Sequence, residues 1–264
     1  MNSVYLQSVG MVAPGLADWP TCHSVMQGHR EYRPAPVVRF SPDTLPANER
    51  RRITQAIRLG LQAATEAMRD STLAAETVAT VFATGNGDLD ISDRICAALA
   101  LPGRPVSPTD FHNSVHNATA GYWSIGSHCR QPSTSLSAGE ASFAAGLLET
   151  VTQVLCDRHP VMLVSYDQPS PKALANPHTV SLPFAVALLV SRQQDETSLA
   201  KLTVTPVEQA ATGHLQATAL ECLRQDNPAA EALLLLELLA GALPAQCILP
   251  YLDARGLLVD YAPC

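Results

Sequence analysis

The stretch Phe111–Gly146 reads FHNSVHNATAGYWSIGSHCRQPSTSLSAGEASFAAG, and its interpretation decides the fold. Within it the run Ser133–Ser137 leads into Ser137-Ala138-Gly139-Glu140-Ala141, with a helical pattern behind it over Ala141–Cys156. A strand, a turn of small residues and a helix form the setting in which a chain can present a nucleophile at a sharp bend. No cysteine stands in that turn. Ser137-Ala138-Gly139-Glu140 also has the S-x-x-E form of a capping box, with Ser137 accepting from a backbone N–H and Glu140 reaching back. That structural role outweighs a catalytic one for Glu140. The same serine stands in S-x-S-x-G, one residue away from the G-x-S-x-G elbow of hydrolases. A serine acyl hydrolase or acyltransferase using Ser137, with His112 or His116 as base, is therefore the competing enzyme reading.

Composition narrows the rest. At 264 residues the chain has 47% hydrophobic residues, ample for a core, and 16% charged, too few for a disordered chain. The net charge of −7 disfavours nucleic acid as the main partner. Arg50-Arg51-Arg52, the longest basic run, opens a helix and reads as a solvated face. The seven cysteines are scattered, without a C-x-x-C pair or metal spacing. With no secretion-signal pattern at the N-terminus and no apolar run long enough to span a bilayer, the expectation is a soluble cytoplasmic protein with reduced thiols.

Along the chain, Val4–Val12 reads as a first strand, and residues 19–46 as an irregular Pro- and His-rich excursion. A helix is expected from Pro46 to Arg69, with Ile53, Ala56, Ile57, Gly60, Leu61 and Ala64 on one face. Val78–Ala83 is a buried strand stopped by Thr84-Gly85-Asn86-Gly87, with a helix near Leu89–Leu101 behind it. Gly85 and Gly87 lack G-x-G-x-x-G spacing, so no dinucleotide site is read there. Pro160–Tyr166 and Leu182–Ser191 are further apolar strands. The tail adds a strand near Leu202–Val207, helices near Gly213–Gln225 and Pro228–Ala240, and a hairpin, Cys247–Tyr251 with Leu257–Tyr261, about Asp253-Ala254-Arg255-Gly256. Strands that are wholly apolar and alternate with helices imply a sheet covered on both faces, an α/β layered fold.

Single residues of the opening stretch carry further readings. His112 and His116, four apart, would share a helix face at a metal-ligand spacing, but no H-E-x-x-H accompanies them and no metal or cofactor is assigned. Asn113 and Asn117 suit caps or bridges between turns. Tyr122 and Trp123 offer large apolar area with one donor each, fitting an interface, a tunnel wall or the monomer core equally. Cys129 reads as structural, since a helix C-terminus raises a thiol pKa.

Asn117-Ala118-Thr119-Ala120-Gly121-Tyr122-Trp123-Ser124-Ile125, followed by Ser133–Ser137 and the turn to Ala141, resembles the nucleophile segment of β-ketoacyl synthases. There N-A-x-x-G-x-x-S-I forms a helix, and a strand then leads to T-A-C-x-S. On that resemblance Gly139, or Glu140 if the register slips by one, replaces the cysteine, and neither can form a thioester. The helix Glu49–Ala67, the strand and glycine turn Val81–Leu89, and the strands Val161–Tyr166 and Pro183–Ser191 extend the likeness over residues 1–192. It implies a truncated thiolase-like fold: a ketosynthase N-terminal half at 1–192 and an abbreviated C-terminal part at 193–264 packed on the same fold. The family's H-G-T-x-T motif and N-x-F-G-F-G-G loop are missing, and Thr212-Gly213-His214 is at best a remnant of the second histidine motif.

A ketosynthase outline without cysteine is similar to the chain-length factors of aryl polyene and type II polyketide pathways. The resemblance implies a non-catalytic subunit that heterodimerises with an active ketosynthase, meets acyl carrier protein only indirectly, and shapes the acyl tunnel. Phe111, His112, Asn113, His116, Asn117, Gly121, Tyr122 and Trp123 are the expected interface or tunnel residues. A free-standing scaffold that docks carrier protein is the third alternative; the acidic charge disfavours it, because carrier proteins are themselves acidic.

Overall fold

The computed structural model describes residues 3–174, 179–209, 213–252 and 255–264. In chain order its elements are β1 (Ser3–Val12), α1 (Trp19–Met26), α2 (Ala47–Arg52), α3 (Gln55–Arg69), β2 (Ala79–Ala83) and α4 (Leu89–Leu99). Then come α5 (Pro108–Asn113), α6 (Ala118–Ser127), β3 (Ser133–Leu136), α7 (Ser142–Asp157), β4 (Val161–Asp167) and β5 (Phe184–Ser191). The tail supplies β6 (Ala200–Val207), α8 (Thr218–Asp226), α9 (Ala232–Gly241), β7 (Ala245–Pro250) and β8 (Gly256–Pro263).

The strands form one eight-stranded sheet in the order β3-β2-β4-β5-β1-β6-β8-β7. β3, β2 and β4 run parallel, and every other neighbouring pair is antiparallel. Strand periodicity divides the side chains between two cores. Phe184, Val186, Leu188 and Val190 of β5 enter the core that also holds α7, α9 and residues of α1 and α8. Ala185, Ala187 and Leu189 enter the one built with α3 and α6. Each fully buried Leu or Val contributes about 1.5–3 kcal/mol, so burial on both faces explains why these strands read as unbroken apolar runs.

β1 breaks parity once, by a bulge between Leu6 and Ser8. Val4 and Leu6 before it, and Val9 and Met11 after it, consequently enter the same core. The bulge also turns Gly10 onto α3, where an added Cβ would lie 2.2 Å from the carbonyl oxygen of Ala63. Only glycine lets the two backbones come this close.

Three expectations change. Residues 19–26 are helical: Asp18 accepts from the N–H of Thr21, and Pro20 suits the first turn. The helix expected from Pro46 to Arg69 is two helices, because Ile53 is extended and Thr54 caps α3 afresh by accepting from the N–H of Ile57. The hairpin is present as β7 and β8, while Asp253 and Ala254 of its tip lie outside the described residues.

Candidate functional site

The bend after β3 is built around Gly139, whose φ of +57° puts it in the left-handed region. An added Cβ there would meet nothing within 4 Å. Residues 139–141 form a single 3₁₀ turn that runs into α7. The expected capping box is replaced by another serine. Ser142 accepts from the N–H of Ala138 at 2.9 Å and donates to the carbonyl of Gly139 at 2.7 Å. The helix begins later than the sequence pattern suggests, so Ser137 stands too early to cap it. Ser137 instead donates its hydroxyl to the carbonyl of Gly85 at 3.2 Å, joining the bend to the turn after β2.

That second turn is held from beneath by Asp167, a fully buried carboxylate at the end of β4. It accepts the Thr84 hydroxyl at 2.7 Å and the N–H groups of Gly85 and Asn86 at 3.0 Å each. Burial pushes its pKa up to about 6, and these donors hold it from rising further. Buried Asn227 donates to the carbonyls of Asp167 and Leu182, and its side-chain oxygen accepts from the N–H of Ala229. This fixes Pro228 opposite the bend.

The result is a cleft of about 510 Å³ lined by Gly85, Asn86, residues 138–141, Pro228 and residues 250–252. Neither a cysteine nor a histidine is among these lining residues. A neighbouring cavity of about 300 Å³ shares Glu140, Pro228 and Pro250 and adds Arg224 and Glu231. Arg224 bonds both Glu221, at 2.6 Å, and Glu231, at 2.7 Å. It holds the Glu221 carboxyl well below its usual range, whereas burial raises that of Glu231. His214 lies 3.3 Å from Glu221 and lines neither cavity; Thr212 of the same motif lies outside the described residues. The cleft has shape and acidity, but its lining offers no thiol to attack and no imidazole to move a proton.

Residues 111–123 divide into two sets. Asn113 is buried: its amide donates to the carbonyl of Arg52 at 2.8 Å, and its oxygen accepts the Tyr122 hydroxyl at 3.0 Å. Tyr122 and Trp123 belong to the core shared with α3 rather than to the surface. Phe111, His112, His116, Asn117 and Gly121 are exposed. His112 and His116 do not share a helix, because α5 ends at Asn113 and α6 starts at Ala118. Neither histidine lines the cleft beside Ser137. His116 borders a recess of about 420 Å³ with Asn117, Gly121, Ser124, Ser133 and Ser135.

Sequence reading missed the apolar residues that surround this set. Phe111 is 70% exposed, Val115 53% and Ile125 46%. They lie beside β3, which ends the sheet and so has one edge unpaired. α4 buries only Ile91 and is tied to α5 by an ion pair between Arg94 and Asp110 at 2.8 Å. Its apolar residues at helical spacing, with little chain left to cover them, were the available signal. Buried Cys129 donates its S–H to the carbonyl of Val78 at 3.3 Å, and all seven cysteines are free. Among the described residues no group of three or more His, Cys, Asp or Glu could hold a metal ion, and no helix is long and apolar enough to cross a membrane.

The family described as beta-ketoacyl synthase, N-terminal domain, matches residues 19–239. No curated protein matches the chain by sequence. Among solved structures, a ketosynthase in complex with its chain length factor from Xenorhabdus doucetiae is similar at 22% identity and a TM-score of 0.72, over 98% of this chain and 99% of that one. The ishigamide ketosynthase/chain length factor matches at 14% identity and 0.75, over 99% of each chain. A type II PKS acyl-carrier protein in complex with its ketosynthase matches at 12% and 0.78, again over 99% of each. At these identities the likeness shows a shared fold, the thiolase-like one.

Proposed function

We propose, from the premise that this chain belongs to the β-ketoacyl synthase N-terminal domain family, that it is the non-catalytic, chain-length-factor-like subunit of a heterodimer. The observation that carries this reading is the bend at Gly139. It keeps the left-handed backbone and the open space that a presented nucleophile needs, yet it has no side chain. The partner, an active ketosynthase, supplies the cysteine and histidines for condensation and receives its acyl chains from acyl carrier protein. This subunit supplies the far wall of the acyl channel in polyketide-, aryl polyene- or fatty-acid-type elongation.

Phe111, His112, His116, Asn117 and Gly121 form the contact face, together with Val115, Ile125 and the open edge of β3. Side chains of this size left uncovered on a monomer fit a surface that a partner buries. Asn113, Tyr122 and Trp123 act from beneath, holding α5 and α6 in place. Residues 1–192 carry the family's N-terminal half, and 193–264 add three strands to the same sheet through pairing of β6 with β1. No observation favours Ser137 as a nucleophile, since its hydroxyl donates to a carbonyl and no histidine lines its cleft.

Co-expression with a ketosynthase from the same gene neighbourhood, followed by size-exclusion chromatography with mass detection, tests the reading. The expected result is a one-to-one complex that extends acyl chains only when both subunits are present. A chain that stays apart from such ketosynthases, or that is labelled at Ser137 by a fluorophosphonate probe, would overturn it.

A further inference from the structure

Arg58 is a buried cation that bonds carbonyl groups rather than a carboxylate. Its guanidinium donates to the carbonyl oxygens of Phe40 at 2.9 Å, Arg50 at 3.1 Å and Ile53 at 3.5 Å. Among the described residues it makes no ion pair. Three carbonyl dipoles fix its position and leave its charge uncancelled. They also clamp the extended segment that carries Arg39 against α2, which carries Arg50, Arg51 and Arg52.

Compensation on this surface is partial. Asp43 pairs with Arg50 at 2.8 Å and Glu49 with Arg52 at 3.5 Å. Arg51 donates only to the carbonyl of Ala47, and Arg39 makes no ion pair among the described residues. Five arginines against two carboxylates leave +3 here, so the remainder of a chain of net −7 carries −10. The patch abuts the proposed partner face, because the carbonyl of Arg52 accepts from Asn113 at the end of α5.

We infer that Arg39, Arg50, Arg51 and Arg52 form a docking face for an acidic protein helix, that of the carrier protein serving the complex. The inference deepens the functional reading above and rests on it: carrier protein would touch this subunit directly, beside the subunit interface. Guanidinium forks match carboxylates in plane and can bond them two at a time, which a chain using lysine there would not do. A polyanion of greater extent fits poorly. Nucleic acid or an anionic lipid surface would run past the patch onto a chain that is otherwise strongly negative.

The test is carrier-protein binding to the purified heterodimer, followed by fluorescence anisotropy at several salt concentrations. Arg39→Glu/Arg51→Glu reverses two exposed charges without touching the buried clamp, and the subunit complex is checked separately by chromatography. The expected result is affinity at least tenfold weaker, with a shallower salt dependence, in an intact heterodimer. Unchanged affinity in an intact heterodimer would refute the docking face and leave the functional reading standing. If no heterodimer forms, that reading fails, and carrier binding to this chain alone decides the inference: binding lost in the double variant sustains it, and no binding refutes it. A duplex DNA and phosphatidylserine vesicles serve as competing probes, and a preference for either would also overturn it.

Discussion

Asp167, at the end of β4, receives the hydroxyl of Thr84, at the end of β2, at 2.7 Å. These parallel neighbours finish side by side, and the one carboxylate then also collects the N–H groups of Gly85 and Asn86. The turn facing Gly139 is thus held by one buried acid rather than by its own residues.

Asp167→Asn should therefore loosen that turn. An amide oxygen can accept from some of these donors but its NH₂ cannot, so a buried N–H is left unmet at a cost of about 1–3 kcal/mol. The penalty should depend on pH. A carboxyl whose folded pKa lies near 6, above its unfolded value, stabilises most below the unfolded value and loses that contribution as pH rises through 6. The variant does not titrate, so its deficit against wild type should shrink by roughly 2 kcal/mol between pH 4.5 and 7.5. Urea unfolding at both pH values measures this.

Gly139→Cys should fold. The side chain enters open space, and a left-handed non-glycine residue costs about 1–2 kcal/mol. Its thiol should react with iodoacetamide, giving one more label than wild type within the peptide spanning β3 and α7. Condensing activity should not return, because the cleft lining lacks histidine. Peptide mass mapping and a condensation assay check both halves.

Phe111→Glu and Val115→Arg should leave the isolated chain's melting temperature unchanged within about 1 °C, since both side chains are largely exposed. Each should weaken the heterodimer by about 2 kcal/mol or more, the scale of a buried anchor. Tyr122→Ala should show the opposite pattern. It removes a core ring and the hydroxyl bonded to Asn113, costing about 3–5 kcal/mol of folding stability. Thermal melts and titration of the partner separate the two classes.

Arg224→Met should destabilise the chain by about 3–5 kcal/mol, because buried Glu231 and neighbouring Glu221 lose their shared cation. Arg224→Lys should recover only part of this, since one ammonium cannot reproduce the forked contacts to two carboxylates. Denaturant midpoints at pH 7 rank the three proteins.

Glu66→Gln probes a second raised carboxyl, at the seam between β1, α1 and α3. Glu66 accepts from the N–H groups of Met11 and Trp19 at 2.8 Å each, and burial pushes its pKa up to about 7. Its own contribution to stability falls as pH rises from the ordinary carboxylate range through 7. The variant should accordingly show a flatter stability profile than wild type between pH 5 and 8.

The layered α/β fold was legible because its carrier is local. β2, β4 and β5 are buried on both faces, and a run such as Phe184–Ser191 reports that directly. Gly139 was legible too, as a small residue between a strand and a helix. Helix breaks were not. Thr54 begins a new helix because Ile53 is extended, and Ser142 caps α7 in place of Ser137; both depend on where a neighbouring backbone group comes to rest. The sequence by itself settled which residues are apolar, which bend lacks a thiol, and hence the layered architecture. Only the tertiary structure decided that Tyr122 and Trp123 face inward while Phe111 and Val115 face out. Only it joined Asp167 to a turn some 80 residues earlier and gathered five arginines about Arg58. Local patterns follow from bonded neighbours and periodicity, whereas these pairings exist only once distant segments have been brought together.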